Sequence, residues 1–334
     1  MNIDCIKEQI FKIKSAEQFD ELCMEIFHYQ ATNNLIYKQY LQLIGKNKAD
    51  ITAPGMIPFL PIRFFKTKKI VSAPAPEQII FTSSATTGME PSKHYVLETS
   101  IYENSFTKAF EIFYGKPEEY TILALLPSYL EREGSSLVYM ADKLIKQSGK
   151  PQSGFYLYNH AELAAILIRL KEEGGTTILL GVSFALLDFI ANHPLSFPEL
   201  TVIETGGMKG RGEELTRKQL HNTLAKGFGV KEIHSEYGMA ELLSQAYSTE
   251  EGIFNTPPWM KIIIRNLYNP FHYYIGEETS PLGGVNIIDL ANINSCSFLE
   301  TQDMGRTFTN GSFTIEGRIK DSELRGCNML LESI

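Results

Sequence analysis

Hydrophobic positions in residues 15–30 recur at the three- and four-residue spacing of an amphipathic helix. The residues that share this face are Phe19, Leu22, Cys23, Ile26 and Phe27. Ser15 followed by Gln18 resembles a capping box, which predicts that the helix begins directly after Ser15. Cys23 is therefore expected to be a core residue. Residues 51–64 contain three prolines and a glycine, which predicts an irregular segment.

From residue 78 onward, short apolar runs alternate with helical patterns. The runs predict strands at 78–81, 121–127, 176–181, 200–204 and within 231–238, and the helical patterns cover 161–172, a stretch ending near 192, and 213–225. Strands that are apolar on both faces and alternate with helices are typical of a largely parallel sheet covered on both sides. Ligands usually bind at the carboxyl ends of such strands.

After residue 260 the pattern changes to short β-like runs separated by turns, which predicts a smaller β-rich subdomain. We expect an α/β fold with three parts. They are a core over 1–260 whose first 75 residues are helical, a β-rich subdomain of the same unit over 261–317, and a hinge-like arm over 318–334.

Composition narrows the function classes. The 334 residues are 43% hydrophobic and 21% charged, which indicates a globular chain. A formal net charge of −8 argues against general nucleic-acid binding. The few scattered cysteines, without a CxxC pair, predict neither a disulfide framework nor a zinc ribbon. No apolar run is long enough for a membrane span, and the N-terminus does not read as a signal peptide, so a cytoplasmic location is expected.

A polar loop follows the first predicted strand and ends at Gly88. Five hydroxyl side chains occupy six positions, namely Thr82, Ser83, Ser84, Thr86 and Thr87. Hydroxyl and backbone N–H groups in such a loop can donate to phosphate oxygens, and Lys93 can add a positive charge. The loop lacks the Walker A pattern. A plain solvated connection is the alternative interpretation.

Three further segments carry candidate chemistry. Tyr237 and Gly238 followed by Glu241 can frame a flat base and hold a divalent cation, because magnesium takes one or two protein carboxylates. Asp303, between turn residues, can accept the hydroxyl groups of a ribose. Arg318 is a candidate for phosphate or ribose binding. Each of these residues can equally belong to a solvated turn.

The order of these segments resembles that of the adenylate-forming superfamily of acyl- and aryl-CoA ligases and peptide-synthetase adenylation domains. FTSSATTGMEPSK is similar to the phosphate-binding TSGTTGxPK motif, YGMAE to YGxTE, TQDMG to TGD, and GRIKDSELRG to GRxKDxIkxxG. Gly206 and Gly207 match the glycine pair that lies against adenine. The resemblance covers about residues 78–327. It implies the fold of the family's large N-terminal domain, with mostly parallel sheets flanked by helices, and it implies ATP and Mg²⁺ as cofactors.

The sequence departs from the family pattern at several positions. Ala85 and Gln302 replace glycines, and Ala240 replaces a threonine. The sequence ends thirteen residues after Asp321, so we expect the family's C-terminal lid domain, with its catalytic lysine, to be missing.

These features make the chain most similar to LuxE-type acyl-protein synthetases. That resemblance implies ATP-dependent activation of a carboxylic acid, expected to be a fatty acid. The acyl group would then pass to a cysteine near the C-terminus and on to a thiol-bearing partner such as an acyl reductase. Cys327 stands in the place expected of the acceptor, and an ordinary terminal thiol is the alternative. The sequence leaves the acid, the acceptor and homo-oligomerisation open.

Two other functions stay open on the sequence. Gly181-Val-Ser183-Phe-Ala185 follows a predicted strand and precedes a helix, which is the context of a nucleophile elbow in a serine acyl hydrolase or transferase. Without a lid lysine, the chain could also serve as a non-catalytic subunit that binds nucleotide or acyl group. A zinc deaminase based on His234-x-Glu236 is excluded because no PCxxC follows.

Overall fold

The computed structural model describes residues 3–83, 90–127, 134–206 and 215–319. The chain divides into two compact units. The first unit comprises Met1–Ser105, Met239–Ser244 and Asn255–Ile334, and the second comprises Phe106–Gly238 and Gln245–Phe254. The domain boundaries proposed from sequence at 260/261 and 317/318 stay predictions.

None of the described helices is long and apolar enough to cross a membrane.

The helices, in chain order, are α1 (Ile3–Ile10), α2 (Ala16–Asn33), α3 (Leu35–Leu43), α4 (Phe64–Thr67), α5 (Thr99–Tyr114), α6 (Ser136–Ser148), α7 (His160–Glu173), α8 (Ser183–Asn192) and α9 (Arg217–Phe228). The strands of the first half of the chain are β1 (Leu60–Pro61), β2 (Ile79–Thr82), β3 (Lys93–Val96), β4 (Thr121–Leu125), β5 (Gly154–Phe155) and β6 (Thr177–Val182). The remaining strands are β7 (Thr201–Thr205), β8 (His234–Tyr237), β9 (Ala246–Ser248), β10 (Met260–Arg265), β11 (Tyr273–Tyr274), β12 (Gly283–Asp289), β13 (Phe298–Thr307) and β14 (Phe313–Arg318).

Helix α2 begins where the sequence predicts. Ser15 Oγ accepts a hydrogen bond from the Gln18 amide at 3.3 Å. Gln18 Oε1 accepts from the Lys14 amide at 2.8 Å, so the second half of the capping box reaches one residue further back than expected. Cys23 is buried in the core, as predicted. The proline-rich residues 51–64 form a 3₁₀ turn at Pro54–Met56 and the two-residue strand β1.

The second unit contains the parallel sheet predicted from the apolar runs. Its strand order is β5-β4-β6-β7-β8-β9, with parallel pairing from β5 to β8 and antiparallel pairing of β9 at the edge. Every residue of β4 and β6 is buried, as expected for central strands covered on both faces. Helix α9 begins later than predicted, because Thr216 and Gln219 form a full capping box there.

The first unit contains a mostly antiparallel sheet in the order β1-β13-β12-β10-β11, with β14 paired to β13. Only β1 runs parallel to its neighbour in this sheet. The β-rich texture predicted after residue 260 therefore corresponds to strands β10–β14.

The placement of the strand predicted at 78–81 was wrong. It forms β2, which pairs antiparallel with β3 in a separate two-stranded sheet instead of joining the parallel sheet. Residues 83–92 are too few for a parallel crossover, which needs about a dozen residues or more, whereas a hairpin accommodates them.

A buried arginine joins three strands of the first unit. The Arg265 guanidinium donates to Asn286 Oδ1 at 2.9 Å and to the Thr301 carbonyl at 2.7 Å. It lies so close to Gly284 that a Cβ there would be 2.4 Å from Cζ, which explains the glycine. Arg265 thereby fixes β13 two residues before Asp303.

We predict that Arg265→Met lowers the free energy of unfolding by about 3 kcal/mol, because Asn286 and the Thr301 carbonyl lose their donor and Glu300, 3.7 Å away, loses one of the two cations that offset its burial, the other being Arg63. Urea denaturation measures the change. The control is Arg306→Met, which removes a half-exposed pair with Glu316 and should cost less than about 1 kcal/mol. Equal losses in both variants would contradict this assignment.

Candidate functional site

Glu241 lies on the turn Met239–Ser244, whose backbone is held by side chains from other elements of the first unit. The turn closes with a hydrogen bond from the Leu242 amide to the Met239 carbonyl at 3.1 Å. His94 Nδ1 donates to the Ala240 carbonyl at 2.9 Å, and Asn292 Nδ2 donates to the Glu241 carbonyl at 2.9 Å. Burial lowers the pKa of His94 to about 4, so the ring is neutral.

The far end of the same turn binds a buried carboxylate. Asp289 Oδ2 accepts from the amides of Leu243 at 2.8 Å and Ser244 at 3.0 Å. Its Oδ1 accepts from Ser244 Oγ at 2.6 Å and from the Ala291 amide at 3.2 Å. Burial raises the pKa of Asp289 to about 6, although these hydrogen bonds favour its charged form. The indole of Trp259 also donates to Ser244 Oγ, at 3.1 Å.

The Glu241 side chain is itself buried, with 6% of its surface exposed. Burial raises the pKa of this carboxyl, while a hydrogen bond from Ser92 and the charge of Arg318 oppose that shift and the charge of Asp303 adds to it. A buried carboxylate near another acid is costly unless a cation compensates it. Glu241 is therefore suited to a divalent cation.

Asp303 and Arg318 are bonded to each other. They face one another across β13 and β14, and Arg318 Nε donates to Asp303 Oδ1 at 3.0 Å. The Asp303 side chain is 8% exposed and that of Arg318 is 80% exposed. Three residues predicted for the site, namely Glu241, Asp303 and Arg318, thus come together in the first unit.

The hydroxyl-rich loop begins and ends in the β2–β3 hairpin. Thr82 and Lys93 are cross-strand partners. Ser83 Oγ accepts from the Ser92 amide at 2.9 Å, and the Ser83 amide donates to the Ser92 carbonyl at 3.2 Å. The other predicted loop residues lie outside the described part of the chain; they are Ser84, Thr86, Thr87 and Gly88.

In the second unit, the predicted adenine-binding residues follow two neighbouring parallel strands. Gly206 comes directly after β7 with a φ of +60°, and Tyr237 ends β8. The Tyr237 ring packs edge-on against Phe254 at 5.9 Å between centroids. A Cβ on Gly238 would lie 2.4 Å from Glu236 Oε1, so a side chain there would force the Glu236 carboxyl to move. Gly207 and Cys327 lie outside the described residues.

The structure gives no support to Ser183 as a nucleophile. Its side chain is buried, and its hydroxyl lies 2.9 Å from both Glu204 Oε2 and the Gly206 carbonyl. Within the described ranges, no imidazole is hydrogen-bonded to this hydroxyl. A buried hydroxyl that donates to a carboxylate is positioned for structure rather than for attack.

Two buried glutamates of the second unit have opposite pKa shifts. Burial raises the pKa of Glu204, but hydrogen bonding to His221 and the charge of Arg217 outweigh it and leave the pKa below its ordinary value. For Glu236, burial dominates and raises the pKa to about 7, although Thr205 Oγ1 donates to it at 2.5 Å.

The residues present are compatible with a nucleotide and a magnesium ion. In the part of the chain that the structure describes, no group of three or more histidine, cysteine or acidic side chains could hold a metal ion. Magnesium needs no such group, because it takes one or two carboxylates and completes its shell with phosphate oxygens and water. Glu241 can be that carboxylate.

Sequence reasoning missed four residues that hold the Glu241 turn in place, namely Ser92, His94, Asp289 and Asn292. Asp289 carries a readable signal, because an acid that directly follows an apolar strand is a candidate for the site. The other three have no local sequence signature, since their partners lie 51 to 149 residues away along the chain.

The fold is similar to that of ATP-bound MatB from Rhodopseudomonas palustris, with a TM-score of 0.52 and 15% identity over 72% of this chain and 47% of that chain. The ATP-bound RpMatB-BxBclM chimera B3 gives a TM-score of 0.51 with the same identity and coverage. The chain spans about half the length of these two proteins. Neither the protein-family models nor the curated proteins give a match.

These similarities confirm the predicted fold class. The structure is mixed α/β, with helices flanking its sheets, and its fold is similar to that of ATP-bound MatB. At 15% identity, the similarity concerns the fold, and the chemistry must be argued from the site.

We predict that Glu236 makes the stability of the protein depend on pH. A carboxyl group whose pKa rises from 4.5 to about 7 on folding contributes stability that is present below pH 4.5 and is lost as the pH rises through 7. Between pH 5 and pH 8, the free energy of unfolding of the wild type should therefore fall by about 2 to 3 kcal/mol more than that of Glu236→Gln.

Urea unfolding at both pH values measures this difference. Glu173→Gln, an exposed glutamate of the same unit, controls for the change in net charge. Parallel stability profiles for the wild type and Glu236→Gln would contradict the assignment.

Proposed function

We propose that this chain activates a carboxylic acid with ATP, forming an acyl-adenylate, and passes the acyl group to a thiol. The observation that carries the proposal is the buried Glu241 carboxylate beside Asp303 and Arg318. These three residues occur in the order of the adenylate-forming motifs, on a fold similar to that of ATP-bound MatB.

Each predicted residue has a proposed role that its chemistry supports. Glu241 would hold Mg²⁺, and Lys93 and Arg318 would offset phosphate charge. Asp303 would accept the ribose hydroxyls. The loop residues Thr82, Ser83, Ser84, Thr86, Thr87 and Gly88 would bind phosphate, and Gly206, Gly207, Tyr237 and Gly238 would frame the adenine.

In the first step, a carboxylate oxygen of the acid attacks the α-phosphorus of ATP. The bond to the β-phosphate breaks, and pyrophosphate leaves with the electron pair. Two anions must approach each other, so positioning and charge compensation dominate catalysis. Bound Mg²⁺ would supply part of that compensation on the phosphate oxygens.

In the second step, a thiolate attacks the acyl carbon and AMP leaves. We propose Cys327 as the first acceptor and a thiol-bearing protein, such as an acyl reductase, as the next one. A free cysteine thiol has a pKa of about 8.5, and a nearby cation lowers it. A fatty acid is the proposed substrate, since the sequence resembles LuxE-type acyl-protein synthetases.

The first test is ATP–pyrophosphate exchange with a panel of aliphatic and aromatic acids. The wild type should exchange with at least one acid. Glu241→Gln should lower that exchange about 100-fold, because it removes a charge on which the reacting phosphates depend. The control is Glu250→Gln, an exposed glutamate, which should exchange normally. ATP binding without exchange for any acid would favour the non-catalytic binding subunit.

The second test concerns the thiol. With a radiolabelled acid and ATP, the wild type should retain label that hydroxylamine releases, as expected of a thioester. Cys327→Ser should lose this label while acid-dependent pyrophosphate exchange continues unchanged. Cys5→Ser, which removes an exposed cysteine, should behave like the wild type. Equal, hydroxylamine-sensitive labelling of Cys327→Ser would contradict the carrier role.

A further inference from the structure

The turn that carries Glu241 has no regular secondary structure, so its shape depends on the side chains that bind its backbone. Ala240 itself is buried, with 8% of its surface exposed. Its carbonyl therefore needs a partner, since an unpaired buried polar group is costly. His94 supplies that partner.

We propose that His94 is a positioning residue for magnesium–nucleotide binding, which fixes the Ala240 carbonyl and thereby the direction of the Glu241 carboxylate. This inference rests on the proposed function of the same site. His94 contacts neither the cation nor the nucleotide in this proposal and acts through the Glu241 turn.

The geometry of His94 defines its role. A carbonyl oxygen only accepts, so Nδ1 carries the hydrogen in the 2.9 Å bond to Ala240. The ring is 1% exposed and packs edge-on against Phe65 at 5.6 Å between centroids. His94 Nε2 has no hydrogen-bond partner among the described residues. The ring is thus held by edge-on packing against Phe65 and by a single polar contact to the turn.

Ser92, which directly precedes β3, makes a second contact with the turn. Strand alternation places Ser92 and His94 on the buried face, with Lys93 between them on the other face. The Ser92 hydroxyl bonds to the Glu241 carboxylate, while its amide bonds to Ser83 Oγ at the base of the hydroxyl-rich loop.

The segment from Ser92 to His94 therefore connects the base of the proposed phosphate loop with the Ala240 backbone and with the carboxylate of Glu241, the proposed cation ligand. A magnesium–ATP complex would place its phosphates at the loop and its cation at the Glu241 carboxylate at the same time. The position of the loop relative to that carboxylate therefore has to be set before binding. His94 sets the backbone half of that arrangement.

Two substitutions separate the hydrogen bond from the packing. His94→Leu fills the ring volume and removes the donor. His94→Asn keeps an N–H donor near the position of Nδ1 but leaves a cavity against Phe65. A merely structural role predicts that Asn is the more harmful change, because lost core volume is costly. A positioning role predicts that Leu is more harmful to binding.

Isothermal titration calorimetry with ATP, in Mg²⁺ and in EDTA, measures the difference without requiring turnover. His94→Leu should raise the Kd for ATP in Mg²⁺ about fivefold to tenfold, as expected for one lost hydrogen bond, and should change the Kd in EDTA less than about twofold. His94→Asn should stay within about threefold of the wild type in Mg²⁺ while unfolding at lower urea concentration.

The emission of Trp259, the only tryptophan in the sequence, gives a second readout without nucleotide, since its indole is bonded to Ser244 on the same turn. It should change in His94→Leu more than in His94→Asn. If His94→Leu does not fold, Ser92→Ala tests the same coupling and should also weaken ATP binding only in Mg²⁺.

Three results would overturn this inference and leave the proposed function standing. His94→Leu could bind ATP in Mg²⁺ as tightly as the wild type, both His94 variants could lose the same affinity for ATP in Mg²⁺, or His94→Leu could lose as much affinity in EDTA as in Mg²⁺. If His94→Leu does not fold, a Ser92→Ala variant that binds ATP in Mg²⁺ as tightly as the wild type would overturn the inference. A wild type that binds no ATP in Mg²⁺ would overturn the proposed function and this inference with it.

Discussion

The Glu241 turn depends above all on the carboxylate of Asp289. This buried group at the end of β12 accepts four hydrogen bonds, two of them from the Leu243 and Ser244 amides. Burying an acid is costly, and the cost is offset only when its oxygens are fully bonded. The same contacts satisfy amides that no regular secondary structure would pair. The Asp289 carboxylate and the turn amides therefore stabilise each other. Their hydrogen bonds fix the turn and, with it, the position of Glu241.

The division between the two units falls inside the YGMAE segment, between Gly238 and Met239. Tyr237 and Gly238 belong to the second unit, and Glu241 belongs to the first. The second unit has an aromatic ring and glycines at the ends of its parallel strands, and the first has Glu241, Asp303 and Arg318.

The sequence predicted the parallel strands because β4 and β6 are apolar on both faces, a pattern typical of strands covered on both sides by helices. It placed β2 wrongly, since the pairing of β2 with β3 depends on the length of the connection rather than on the strand itself. Glu241, Asp303 and Arg318 were singled out because their segments resemble known motifs in the same order, and their roles stay predictions. The sequence did not predict His94 or Asn292, because a contact such as that from Asn292 to Glu241 spans 51 residues and leaves no trace in local composition.

The pairing of Arg318 with Asp303 has a consequence for affinity. A ribose that bonds to Asp303 must share that carboxylate with the guanidinium or displace it. Binding at this position would then be an exchange between two hydrogen-bonded states, and its net gain would be smaller than the new bonds alone suggest. Since the guanidinium is mostly exposed, added salt would loosen its hold on Asp303 while also weakening the attraction of the phosphates. The two ends of a nucleotide would thus respond to ionic strength in opposite directions.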